Sequence, residues 1–230
     1  DRLFGAEVVL EAPNGSPDQQ EKLISMLIEK YTAQGEKVYY IPVGGSNDIG
    51  ALGYYECACE LDEQARAAGI EDATVVHASG SLGTYMGLFC GLKNESSKLS
   101  LTGIAISPFG PDKRSRLMEY FTSVKERFGL ECTVSESDFH IETDYVRGGY
   151  NLPNEDVRRA IYLMARKEAL ILDPCYTGKA FAALLDMINE GKIKKGQKVI
   201  FIHTGGHPGI NTPHHRVEFE RELESGVTVL

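Results

Sequence analysis

Six residues at 79–84, Ser-Gly-Ser-Leu-Gly-Thr, gather three hydroxyls and two glycines into one short stretch. An apolar, β-branched run at 74–78 leads into it, and a helical pattern through Met86, Leu88, Phe89 and Leu92 leads out. The stretch therefore reads as strand, turn and helix. Such a turn presents hydroxyls and backbone N–H groups over a helix N-terminus, where peptide dipoles favour negative charge. Its natural guest is a phosphate. Gly80 and Gly83 allow positive φ and a close approach that a Cβ would prevent. A glycine turn of this kind also serves simply to pack a strand on a helix, and the turn by itself leaves both readings open.

Other chemistries fit less well. The turn lacks the Gly-x-Gly-x-x-Gly spacing of a dinucleotide site, and the next strand ends at Ile106-Ser107 without the acidic residue expected ~20 positions on. There is no Gly-Lys-Ser/Thr ending for a P-loop and no Gly-x-Ser-x-Gly for a hydrolase nucleophile. His203, His207, His214 and His215 could suggest a metal, but across a Gly-Gly loop they read better as hydrogen-bonded loop histidines. No metal site is expected.

The elements that must position the turn alternate along the chain. A strand at 7–10 and a Pro/Gly turn come first. Ser16 then caps a helix with Pro17 at its first position and Gln19 completing a capping box. That helix runs to about residue 33, with Leu23, Met26, Leu27 and Tyr31 on one face. A strand at 37–42 precedes a second glycine turn, Val-Gly-Gly-Ser-Asn-Asp at 43–48, which reads as an ordinary loop or as a hinged crossover capped by Ser46 or Asn47. Helices are expected at 49–68, 111–128, 155–167 after an Asn154 cap, from 173 to near Gly191, and at 214–224. Strands are expected at 99–106, 170–172 and 198–203, with a short one or irregular chain at 141–145 and pairing of 227–230. Repeated strand–helix alternation gives an α/β fold with open, mainly parallel twisted sheets and flanking helices. Ligands of such sheets lie beyond the strands' carboxyl ends, which groups 79–84, Ser107, Tyr176, Thr177 and 204–206.

Composition narrows the partners. The chain has 230 residues, 42% hydrophobic and 25% charged, with a formal charge of −9. An acidic chain of this kind disfavours nucleic acid, and Lys192, Lys194, Lys195 and Lys198 read as a solvated turn. No apolar run reaches the ~18 residues of a membrane span and no signal pattern opens the chain, so a cytoplasmic setting is expected. Five cysteines lack disulfide or metal spacing and fit reduced thiols.

Five motifs then carry a resemblance. Ile-Pro-Val-Gly-Gly-Ser-Asn at 41–47, Ala-Leu-Gly-Tyr at 51–54, Ala-Ser-Gly-Ser-Leu-Gly-Thr at 78–84, Leu-Asp-Pro-Cys-Tyr-Thr-Gly-Lys-Ala at 172–180 and Phe-Ile-His-Thr-Gly-Gly at 201–206 closely resemble the D-cysteine desulfhydrase and 1-aminocyclopropane-1-carboxylate deaminase family. These are pyridoxal-phosphate enzymes of the two-lobed fold type II, like tryptophan synthase β. The resemblance runs from about Leu3 to Pro208. It implies that residues 1–47 are the remainder of a smaller lobe, 48–210 the larger cofactor-binding lobe and 211–230 a tail. It places the phosphate cup at Ser79, Gly80, Ser81, Gly83 and Thr84, and puts Thr177 at the pyridine nitrogen. Tyr150 and Tyr176 become active-site tyrosines, and Thr204 and Gly205 part of the cofactor wall.

The deaminases that open a cyclopropane ring resemble this chain but carry a glutamate where Thr177 stands. A neutral hydroxyl leaves the ring nitrogen less cationic, which favours β-elimination. The family's Schiff-base lysine motif and its substrate-carboxylate loop do not occur in this sequence, and Lys179 matches a different lysine. The expectation is a pyridoxal 5'-phosphate lyase acting on a small amino acid such as D-cysteine, completed by an N-terminal segment or a partner chain. A homodimer is implied. Cysteate sulfo-lyase or 1-aminocyclopropane-1-carboxylate deaminase are the alternatives in the same class; a non-catalytic ligand-binding subunit is the alternative outside it.

Overall fold

The computed structural model describes residues 1–10, 16–70 and 72–228. The Pro/Gly turn expected at 11–15 and the last two residues lie outside them. The chain divides into two compact units, Asp1–Pro42 and Val43–Leu230.

In the first unit, α1 (Pro17–Ala33) starts as its sequence dictates. Ser16 accepts from the Gln19 N–H while the Gln19 side chain accepts from the Ser16 N–H, a complete capping box. Gly35, at φ 85°, ends the helical stretch. Tyr31 and Lys30 both donate to Glu7, at 2.6 and 3.2 Å. The strands expected at 7–10 and 37–42 are not formed. β-branched residues favour a strand only where another strand completes the ladder, and none pairs with them among the described residues. Leu10, Tyr39 and Ile41 stay exposed.

The second unit is built on a four-stranded parallel sheet: β1 (Thr74–Ser79), β2 (Ser100–Ala105), β3 (Ile141–Glu142) and β4 (Val199–Phe201), in the order β3-β2-β1-β4. β1 is central and every one of its residues is buried, as its unbroken apolar run requires. It pairs from Thr74↔Ser100 to Ser79↔Ala105 with β2 and from Thr74↔Val199 to Val76↔Phe201 with β4. The strand expected at 170–172 is absent. Ala169 turns the chain at φ 55°, and Leu172, fully buried, packs into a helical cluster with Val157 and Ile161.

Helices α2 (Asp48–Ala67), α3 (Gly83–Asn94) and α4 (Pro111–Phe128) form one core layer with β1 and β2. The approach of α2 to α3 is set by missing side chains. A Cβ on Gly87 would collide with the Ala51 carbonyl and stand 2.6 Å from Tyr54 Cβ. One on Gly91 would stand 2.6 Å from Ala58 Cβ, and one on Gly83 2.8 Å from Ser46 Oγ. Glycine every four residues thus gives α3 one bare face. That face seats the start of α3 against the 43–47 turn, whose Asn47 caps α2 by accepting from the Gly50 N–H.

Helices α5 (Glu155–Glu168), α6 (Thr177–Asn189) and α7 (Pro213–Leu223) complete the unit. α5 is tied to α7 by Arg158, which pairs with Glu222 at 2.6 Å, and by Tyr162, which donates to the same carboxylate at 2.8 Å. Phe219 of α7 is buried against this layer. Among the described residues of the 211–230 segment, α7 packs on the rest of the unit through His215 and Phe219.

Candidate active site

A cavity of ≈ 600 Å³ opens at the carboxyl end of β1, within the second unit. Ser79, Gly80, Ser81, Leu82 and Thr84 form one wall, Ile106, Ser107 and Lys113 a second, and Tyr150, Tyr176 and the 204–206 loop a third; Gly44 and Tyr54 close it from the side. Sheet topology alone accounts for this convergence, since parallel strands deliver their following loops to one edge.

The 79–84 turn is prepared for an anion. Leu82, at the N-cap of α3, adopts φ 75° and no side chain caps the helix, so its first N–H groups keep their hydrogen-bonding capacity. Ser46 donates to Ser81 Oγ at 2.6 Å, which leaves the Ser81 proton available to a ligand. The Ser79 hydroxyl is buried without a partner among the described residues. A polar group in that state is costly in an isolated protein, and a bound phosphate oxygen would satisfy it. Gly80 lets the backbone lie against Ile106 and Tyr176; its Cβ would stand 3.2 Å from Ile106 Cδ1 and 3.7 Å from Tyr176 Cε1. The residues present thus fit a phosphate group by their donors and by their shape.

Across the cavity, Tyr150 and Tyr176 place their hydroxyls 2.5 Å apart, with rings edge to face. The bond to Tyr176, then burial, holds the Tyr150 phenol above the usual tyrosine range. Tyr150 therefore stays protonated near neutrality. It can hold or donate a proton.

Each tyrosine sits on a shaped loop. Tyr176 follows a buried carboxylate, Asp173, whose Oδ2 accepts from the N–H groups of Cys175 and Tyr176 and whose Oδ1 accepts from the Thr177 N–H and hydroxyl. Tyr150 lies in a loop where Arg147, Gly148, Gly149 and Asn151 all have positive φ. Three anchors hold that strained course. Arg147 pairs with Asp156 and Asp186, Asn151 meets His215 of α7 at 3.0 Å, and the Gly149 carbonyl accepts from Lys179. The 204–206 loop is set by His203, whose Nδ1 accepts from the Gly205 N–H while Nε2 donates to the Ile171 carbonyl.

Eight of the ten residues expected from the sequence line this cavity: Ser79, Gly80, Ser81, Thr84, Tyr150, Tyr176, Thr204 and Gly205. Gly83 and Thr177 are not among the residues that line it. Gly83 lies against Ser46. Thr177 is fully buried, and its hydroxyl both donates to Asp173 Oδ1 and accepts from the Asp173 N–H at 2.9 Å. Two residues went unrecognised. Asp173 carried a signal, an Asp-Pro turn opener just ahead of a helix. Lys113, which donates to Ser107 at 3.0 Å and brings a cation to the wall, carried none.

Comparison with known proteins agrees with this geometry. The chain is 38% identical over 215 residues to a D-cysteine desulfhydrase of Yersinia enterocolitica, covering 94% of this chain and 63% of that protein. It is 37% identical to a D-cysteine desulfhydrase of Klebsiella pneumoniae, covering 92% and 62%. A crystal structure of an ACC deaminase homologue superposes with a TM-score of 0.82 at 31% identity, over 98% of this chain and 64% of that one. The chain thus spans somewhat less than two thirds of the length of the relatives it matches. Residues 1–205 match the model of the pyridoxal-phosphate dependent enzymes, and this chain belongs to that family.

Proposed function

We propose that the protein is a lyase that expels the β substituent of a small amino acid such as D-cysteine, releasing pyruvate, ammonia and sulfide. One observation carries the reading: an uncapped helix start with an unpartnered Ser79 hydroxyl faces a pair of hydrogen-bonded tyrosine hydroxyls across a single cavity. In this reading Ser79, Gly80, Ser81, Gly83 and Thr84 hold the phosphate of pyridoxal 5'-phosphate, and Thr204 and Gly205 bound the ring. The bound cofactor supplies the electron sink that makes an amino acid's α proton removable.

The chain's own residues would then orient the substrate and manage its protons. Tyr150, kept protonated, can donate at the leaving substituent, and Tyr176 fixes the direction of that proton by its hydrogen bond. Thr177 itself adds no charge behind the ring, because a threonine hydroxyl is neutral; that hydroxyl donates to Asp173. Neutrality at that position supports elimination over ring opening. The lysine that binds the cofactor aldehyde is assigned to the part of the relatives' length that this chain does not span, or to a partner chain. A homodimer in the cytoplasm, with residues 1–47, 48–210 and 211–230 as small-lobe remainder, cofactor lobe and tail, completes the proposal. Among the described residues no helix is long and apolar enough to cross a membrane.

The likeness to an ACC deaminase homologue motivates a second reading, ring opening of aminocyclopropane carboxylate. Incubating the full-length protein with D-cysteine, L-cysteine, cysteate and aminocyclopropane carboxylate separates the two. Sulfide with pyruvate from cysteine is the expected result. Sulfite from cysteate would keep the reaction class and change the substrate, and 2-oxobutanoate from the cyclopropane would overturn the elimination assignment.

A further inference from the structure

Lys179 is fully buried in the first turn of α6, and no carboxylate among the described residues forms an ion pair with it. Its Nζ donates to two backbone carbonyls, Ile106 at 2.9 Å and Gly149 at 2.6 Å. Ile106 lines one wall of the cavity, and Gly149 directly precedes Tyr150, which lines another. Ile106 follows β2 and presents the side chain against which Gly80 lies. A lysine taken out of water this completely is unusual without a salt-bridge partner, and burial holds its amine below the ordinary lysine range even with the Asp173 carboxylate nearby. Packing alone does not explain the choice, because methionine would fill similar space without the desolvation cost.

We infer that Lys179 is a positioning residue, clamping the floor of the 79–84 turn and the Tyr150 loop to one ammonium so that the tyrosine pair stays fixed opposite the turn. The inference rests on the proposed lyase site for its catalytic meaning, but the clamp itself is independent of cofactor. Gly148 and Gly149, at φ 83° and 150°, give the loop little intrinsic preference for its course, so a tether is needed where they meet Tyr150. Arg147 and Asn151 anchor the loop's two ends. Lys179 holds the carbonyl between them.

The test uses the full-length protein as wild type, Lys179→Met, Tyr150→Phe and the double variant, with Lys179→Gln as the milder substitution should Lys179→Met not fold. Two readouts are taken. Hydrogen exchange of a peptide spanning 146–152, measured without cofactor or substrate, should quicken ~10-fold or more in Lys179→Met while peptides of α3 are unchanged. Turnover should fall in both single variants, and the double variant should be no slower than the worse single within ~3-fold, since both changes disable the same hydroxyl. Cofactor affinity should be retained. Unchanged exchange at 146–152, or multiplicative losses in the double variant, would overturn the inference. Absence of turnover in the wild type would instead remove the lyase reading and leave the exchange result to judge the clamp.

Discussion

Replacing Asp173 with asparagine asks whether the turn under Tyr176 rests on one carboxylate. Four bonds converge on it: N–H groups of Cys175 and Tyr176 on Oδ2, both at 2.8 Å, and on Oδ1 the Thr177 N–H at 2.6 Å and hydroxyl at 2.8 Å. Asparagine keeps the shape and turns one end into a donor. With its nitrogen toward Cys175 and Tyr176, two N–H groups lose their acceptor. With the nitrogen toward Thr177, the hydroxyl can rotate to accept, which leaves the Thr177 N–H without an acceptor and the hydroxyl proton to find another. The second arrangement is cheaper and costs about 1–3 kcal/mol. Loss of charge assistance in the surviving bonds pushes the total toward the upper end. Alanine strips the acceptor from three N–H groups and a hydroxyl; the two N–H groups in buried residues, those of Cys175 and Thr177, cost about 1–3 kcal/mol each, hence about 2–6 kcal/mol from these alone. Urea unfolding of the three proteins gives the ranking directly, and the asparagine variant should melt roughly 2–12 °C lower. An asparagine variant within ~0.5 kcal/mol of wild type, or an alanine variant no worse than asparagine, would refute the claim that the carboxylate organises this turn.

Three other outcomes follow from the same structure. Gly87→Ala should destabilise by about 1–3 kcal/mol because its Cβ meets the backbone of α2. Gly53→Ala, on α2 with nothing within 4 Å of its Cβ, should stabilise by about 0.5–1 kcal/mol, and unfolding midpoints compare the two. His77 donates from Nδ1 to the Ala78 carbonyl and has no partner at Nε2 among the described residues, and burial lowers its pKa to about 4. A folded-state value below the unfolded one means stability that is complete above pH ~6.5 and lost as the pH falls toward about 4, about 3 kcal/mol in all. His77→Leu should flatten that limb of a stability–pH profile. Ser79→Ala should leave the cofactor-free protein as stable as wild type or slightly more so, since it removes an unpartnered hydroxyl, yet weaken thermal stabilisation by pyridoxal phosphate.

The sequence was most informative where local chemistry and global fold agree. The capping box at Ser16 and Gln19, the central strand at 74–79 and the glycine turn after it are each fixed by their own residues, and the structure contains all three. The segments at 7–10, 37–42 and 170–172 show the opposite case. Their β-branched residues favour an extended course, but a strand exists only when a second strand accepts it, and that partner is not encoded in the segment. Leu172 instead uses its apolar side chain in a helical cluster.

The site divides in the same way. Residues that would touch a ligand belong to a contiguous turn or a loop following a strand, so motif and topology reveal them together. Residues that hold those loops in place are distant in sequence from what they hold. Lys179 reaches the Ile106 carbonyl across 73 positions and the Gly149 carbonyl across 30, and His215 reaches Asn151 across 64. No spacing rule contains such pairs. Their identity follows from the loops' need for anchors: a strained course through Arg147, Gly148, Gly149 and Asn151 must be over-determined by its surroundings, so buried donors and acceptors from α6 and α7 are where its support had to come from. Precision at Tyr150 is therefore a property of the helices behind the cavity, and substitutions there should alter turnover more than cofactor binding.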